Sequence, residues 1–183
     1  MGFVIKNGVL ENYKGNSKNV VIPDGVTTIG YEAFSRCSSR LKSITIPDSV
    51  TSIGRRAFYN CSNLTSITIP DSMTSIGDSV FYGCSRLTSI TIPEGVTTIG
   101  NEAFSNCESL KSITIPDSVT SIGVEAFTQS DKLSDLTLPS ALGAELSRIL
   151  GKNCMPNIHI DDIGNVSAKY RPGCAVGFAE DNR

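Results

Sequence analysis

The chain has no tryptophan, a single histidine and almost no charge bias: 16 Lys and Arg stand against 18 Asp and Glu, a net charge of −2 over 183 residues. Without a basic excess a nucleic-acid partner is not expected, and 19 % charge of mixed sign does not describe a charge-driven disordered chain. No apolar run reaches the about 20 residues that a membrane span requires. The start, Met1-Gly2-Phe3-Val4-Ile5-Lys6, lacks an apolar signal core. His159, beside Asp161 and Asp162, is the only imidazole, and neither a Gly-x-Ser-x-Gly elbow nor a glycine-rich phosphate loop is present. Neither an enzyme nor a cofactor is expected. The apolar fraction, 39 %, lies below the usual value of about 45–50 %, so any core must be economical.

What is present is periodic. Six of the eight prolines fall at Pro23, Pro47, Pro70, Pro93, Pro116 and Pro139, at intervals of 24, 23, 23, 23 and 23. One inserted residue between Cys37 and Leu41 accounts for the longer interval. A fixed period of this size indicates a solenoid. In the unit that begins at Leu64, Ile67 and Ile69 alternate with Ser66 and Thr68, the pattern of a half-buried strand. Pro70 lacks an N–H and ends that strand. Met73 and Ile76 return inward, Gly77 allows a bend, and Val80-Phe81 (Ala-Phe in other units) plugs the core as one 3₁₀ or helical turn. No unit can bury its own apolar residues, so stability must come from stacking on neighbours.

The pattern Leu-x-x-Ile-x-Ile-Pro-x-x-Val-x-x-Ile-Gly-x-x-Ala-Phe-x-x-Cys resembles the BspA-like class of leucine-rich repeats over about residues 17–140. Ser49, Ser72, Gly95 and Ser118 hold the place of the asparagine of commoner classes, so the asparagine ladder is absent. The resemblance implies a mainly β (α/β) right-handed leucine-rich-repeat solenoid with a parallel sheet on one face. It also implies bacterial or protist surface proteins that bind host proteins or matrix. The expected organisation is an N-terminal hairpin cap over 1–16, repeats over 17–139, a C-terminal helix–strand cap over 140–160, and a linker or further truncated segment over 161–183. The first cap rests on Asn7-Gly8 between short apolar runs. The second rests on the helical spacing of Leu142, Leu146, Ile149 and Leu150, between Ser140 as N-cap and Gly151 as stop.

Several columns invite chemistry. Cys37, Cys61, Cys84 and Cys107 stack with Ser130; parallel thiols suit neither tetrahedral zinc nor unstrained disulfides, and buried free thiols are expected. A Cys154–Cys174 bridge remains open. Asp24, Asp48, Asp71, Glu94 and Asp117 each follow a repeat proline, where a carboxylate can accept turn N–H groups or, alternatively, bind cations. On the outward sheet face stand Ser43 and Thr45, Ser66 and Thr68, Ser89 and Thr91, Ser112 and Thr114, flanked by Lys42 and Lys111. Such ranks suit a solvated sheet and equally a recognition surface. Side-chain diversity is greatest after the repeat glycine, at Tyr31-Glu32, Arg55-Arg56, Asp78-Ser79, Asn101-Glu102 and Val124-Glu125, and Tyr59 and Tyr82 stack in adjacent units. These two tyrosines and the ten residues of the sheet face are the candidate ligand-binding residues, with no metal site. The expected molecule is a monomeric, non-enzymatic scaffold for a protein or glycan partner in adhesion or recognition; the alternative is a spacer or cap in a longer polypeptide. The resemblance points to the cell surface or secretion, while the missing signal and reduced thiols suit the cytoplasm equally.

Overall fold

The computed structural model describes residues 2–37, 40–151, 157–160 and 166–169. Each 23-residue unit forms one coil of a mainly β solenoid, and three faces of the coil carry main-chain bonds between units. On the first face, strands Asn19–Val21, Ser43–Thr45 and Ser66–Thr68 pair in parallel with Val20, Ile44 and Ile67 in register. Ser112–Thr114 pairs likewise with Asp135–Leu138. Between these groups Ser89 makes only an isolated bridge to Ser112. A second parallel ladder, not anticipated from the sequence, runs through Thr28–Ile29 and Ser52–Ile53, then through Ser75–Ile76, Thr98–Ile99 and Ser121–Ile122.

On the third face the Ala-Phe segment is the single turn expected, closed by bonds such as Ala57 N–H to Gly54 O and Tyr59 N–H to Arg56 O, and its phenylalanine also bonds outward to the next coil. Tyr13 N–H donates to Ala33 O (2.9 Å), Phe34 to Ala57 (2.8 Å), Phe58 to Val80 (3.0 Å), Phe81 to Ala103 (2.9 Å), Phe104 to Ala126 (2.8 Å) and Phe127 to Ile149 (3.2 Å). Consecutive acceptor and donor belong to one peptide unit, so a single hydrogen-bonded file runs the length of the solenoid. Among the described residues of the repeats, the turn extends into a 3₁₀ helix at Ser35–Cys37 alone.

Inside this frame the expected core is complete. The rows of Ile, Val and Leu are buried throughout. Phe34, Phe58, Phe81, Phe104 and Phe127 stack at 5.2–5.5 Å, and Phe3 and Tyr13 of the N-terminal hairpin extend the column. Offset aromatic pairs at such distances add about 0.5–1.5 kcal/mol each beyond burial. The repeat glycines have a different role from the bend expected of them. Gly30, Gly54, Gly77, Gly100 and Gly123 do not have positive φ; that conformation falls two residues later, on Glu32, Arg56, Ser79, Glu102 and Glu125. At Gly30, Gly54, Gly100 and Gly123 glycine is required because successive coils touch there, whereas Gly77 has more room. A Cβ on Gly123 would lie 2.3 Å from Asn101 N, and one on Gly100 2.5 Å from Asp78 N.

Cys61, Cys84 and Cys107 are buried free thiols and Cys37 is half-buried and free. Each thiol donates to the phenylalanine or tyrosine carbonyl one coil back, as Cys84 Sγ does to Phe58 O (3.4 Å), and Ser130 Oγ does the same to Phe104 O (2.9 Å). Burial pushes the Cys107 thiol from 9.0 up to about 12. Below the unfolded value the thiol is neutral in both states. Above it only the unfolded chain ionises, so stability should fall from about pH 9 towards pH 12 by about 1.4 kcal/mol per pH unit for each such thiol. Urea midpoints at about pH 8 and pH 10 measure this. Cys107→Ser, the residue nature uses at position 130, should remove one thiol's share; an unchanged slope would contradict it.

The acidic column makes its turns without its carboxylates. Val50 N–H donates to Pro47 O and Val119 N–H to Pro116 O. The neighbouring serines, not the aspartates, add side-chain bonds: Ser49 to Val26 O (2.8 Å), Ser72 to Val50 O (2.6 Å) and Ser118 to Val96 O (2.7 Å). A serine ladder therefore stands in the place of the missing asparagines. Asp24, Asp48, Asp71, Glu94 and Asp117 are exposed, and their carboxylates have no hydrogen-bond or ionic partner among the described residues. No group of three or more metal-ligating side chains occurs among the described residues.

Both ends are closed by main-chain chemistry. Phe3–Lys6 and Val9–Tyr13 form an antiparallel hairpin, with positive φ at Asn7 and Gly8 as a type I′ turn requires. Its second strand joins the second ladder through Val9 and Leu10. At the other end a 3₁₀ segment, Ser140–Glu145, leads into a short α-helix, Leu146–Leu150, where one continuous helix was expected. Carbonyls of Arg148 and Ile149 accept the last unit's Glu125 and Phe127 N–H groups. Asn157–Ile160, expected as the last strand, pairs with a further strand, Val166–Lys169, which itself joins Asp135–Leu138. Strands on either side of the expected boundary at 160/161 are thus paired with each other. Residues 170–183 and the Cys154–Cys174 pair lie outside the described residues.

Candidate functional site

The twelve candidate residues divide between two faces. Ten lie on the first face: Lys42, Thr45, Ser66, Thr68, Ser89, Thr91, Lys111, Ser112 and Thr114 are exposed, and Ser43 is half-buried. Ser43 Oγ donates to Asn19 Oδ1 (2.8 Å). The regular rank is interrupted once. Thr88 N–H reaches Thr65 O at only 3.5 Å and Lys111 N–H reaches Thr88 O at 3.4 Å, against 2.9 Å for Thr65 to Lys42. The loosened strand opens a groove of about 340 Å³ whose lining includes Ser89, Thr91, Glu94, Ser112 and Thr114. No aromatic ring lines it.

Tyr59 and Tyr82 lie beyond the core phenylalanines, on the third face. Their rings stack with centroids 5.0 Å apart and planes at 12°. The spacing of the hydrogen-bonded file sets this geometry: Asn60 N–H donates to Tyr82 O (2.7 Å) just beyond the rings. The guanidinium of Arg56 lies over Tyr59, 5.1 Å from its centroid, in cation–π geometry. Arg56 also pairs with Glu32 at 3.8 Å, while its buried Nε has no partner. Burial pushes the Tyr82 phenol up, Tyr59 and Glu102 add to this, and a hydrogen bond with Asn106 opposes it. Sequence reading placed Arg56 among the variable positions but not among the candidates. The signal was its position three before Tyr59, across one turn.

Residues 4–134 match the BspA type leucine-rich repeat region in six copies. The chain belongs to the BspA-type leucine-rich repeat family. No curated protein matches it. Among solved structures it is similar to a leucine-rich repeat protein from Bacteroides ovatus, with 40 % identity over 73 % of this chain and a TM-score of 0.66. It is also similar to the T. pallidum leucine-rich repeat protein, with 35 % identity over 72 % of this chain and a TM-score of 0.69. The chain spans 37 % of the first and 64 % of the second. Pneumococcal vaccine antigen PcpA shares the fold, with 23 % identity over 73 % of this chain, 34 % of its own and a TM-score of 0.62. BspA-type repeats form scaffolds, in general for protein interaction and not for catalysis. Among the described residues no helix is long and apolar enough to cross a membrane.

Proposed function

We propose that this BspA-type solenoid is a non-enzymatic scaffold that binds a protein partner through the third-face cluster of Arg56, Tyr59 and Tyr82, in adhesion or recognition at the cell surface. The observation that carries this reading is the break in uniformity. The Ser/Thr ranks of the first face repeat from coil to coil, whereas Tyr59 and Tyr82 stack in two adjacent coils only and Arg56 covers one of them. Tyrosine and arginine are the residue types that dominate binding energy at protein interfaces. A glycan on the Ser89–Thr114 groove is the rival within the same reading. Affinity capture with the full chain, in parallel with a glycan array, tests both. Tyr59→Ala with Tyr82→Ala should weaken capture of the partner by about tenfold or more, with Ser89→Ala and Thr91→Ala close to wild type. Unchanged capture by the tyrosine variant, or a glycan signal lost with the serine and threonine variants, would overturn the assignment.

A second reading is a spacer or cap in a longer polypeptide. It is supported by the uniform ladders and by the chain's spanning only part of the structures it resembles.

A further inference from the structure

The tyrosine pair coincides with a gap in the second ladder. At other junctions the threonine of one coil donates its N–H to the threonine of the coil before, as in Thr51 to Thr27, Thr97 to Thr74 and Thr120 to Thr97, each at 2.9 Å. The equivalent Thr74-to-Thr51 bond is not formed, nor is one from Gly77 N–H to Ile53 O, although Gly54, Gly100 and Gly123 each make theirs. This is the junction between units 41–63 and 64–86, and it is the one that Tyr59 and Tyr82 span. On the third face the same junction is closed, with bonds of 3.0 Å from Phe58 to Val80 and 2.7 Å from Asn60 to Tyr82. The rings are thus held at the spacing of one coil while remaining half-buried and within reach of solutes. The other described tyrosines differ: Tyr13 is 6 % exposed, and Tyr31, at 60 %, stacks on no ring among the described residues.

We infer that Tyr59 and Tyr82 are a site of oxidative cross-linking, at which hydrogen peroxide with a haem peroxidase couples the two phenols into an intramolecular dityrosine. Each phenol gives up one electron and its hydroxyl proton. The two phenoxyl radicals, which carry spin on the carbons ortho to oxygen, join through one new C–C bond between those carbons. The two ortho hydrogens then move to the oxygens as the rings regain aromaticity, restoring both hydroxyls. The net loss is two electrons and two protons, which reduce one peroxide to two waters. Holding the rings together replaces a bimolecular encounter of dilute radicals by a local one. The product is a covalent tie across the junction that lacks its second-face bonds.

The test is to treat the full chain, at low micromolar concentration, with peroxidase and limiting peroxide. The expected result is a monomer lighter by two hydrogens, with dityrosine fluorescence and a cross-linked peptide joining Tyr59 to Tyr82. Tyr59→Phe and Tyr82→Phe each keep a stacking ring and should abolish that product while preserving the circular dichroism of the fold. Unfolding the chain in urea before oxidation should lower its yield by about tenfold or more. A monomer of unchanged mass, links mapping elsewhere, or only intermolecular dimers through Tyr31 would overturn the inference. The reaction needs no binding partner, so its failure leaves the proposed interaction standing.

Discussion

Phe81→Ala is expected to lower the unfolding free energy by about 3–5 kcal/mol, the range for truncating a fully buried aromatic. The ring is wholly buried between Phe58 at 5.5 Å and Phe104 at 5.4 Å. Its neighbours cannot close over the space, because each is attached to a coil whose separation is set by bonds such as Phe81 N–H to Ala103 O at 2.9 Å. The cavity therefore persists and the cavity penalty adds to the lost transfer energy. Stability in a solenoid passes from neighbour to neighbour, so the denaturant transition should also broaden as the two halves begin to unfold separately. A midpoint shift equivalent to less than about 1.5 kcal/mol, with an unchanged slope, would show that the coils can collapse.

Gly123→Ala should cost about 3 kcal/mol or more, and Gly77→Ala should be close to neutral, although the two glycines occupy the same place in their units. The added methyl at position 123 meets Asn101 N at 2.3 Å and Gly100 C at 2.4 Å, backbone that cannot move without breaking the Gly123-to-Ile99 bond. At position 77 the nearest atom is Ile53 O at 3.3 Å, at the junction where the second ladder is open. There a small outward shift suffices, and the lower entropy of the unfolded alanine chain, worth about 0.4–1 kcal/mol, offsets it. Thermal or urea unfolding of the two variants side by side decides the point. Equal losses would mean that the glycine serves conformation and not contact.

That contrast marks where local reading of the residues stops. The period, the strand of Ile67 and Ile69, the proline stops, the thiol column and the Asn7-Gly8 hairpin were legible, because each depends on residues close in the chain or on strict repetition. The roles of Gly100 and Gly123 were not, because the atoms that demand glycine belong to the preceding coil. The outward bonds of the Ala-Phe turn were hidden for the same reason: its phenylalanine N–H donates to a residue 22 or 23 positions ahead, as Phe58 does to Val80. The carboxylates of the acidic column were credited with turn bonds that the main chain and the adjacent serines make. Of the site, Tyr59 and Tyr82 were legible as a stack from their shared place in the unit. Arg56 was not, since its direction depends on a backbone with φ of 59°.

The file of peptide units on the third face gives the solenoid a chemical direction. Every N–H in it points towards the C-terminal coil and every carbonyl towards the N-terminal one, so the two ends of the coil are opposite in kind. The hairpin meets an end that offers carbonyls and supplies the Tyr13 N–H; the closing helix meets an end that offers N–H groups and supplies the Ile149 carbonyl. Lids for such a structure are not interchangeable. Units could be added or removed between them in whole multiples without altering either lid, and two such coils would continue one another only head to tail.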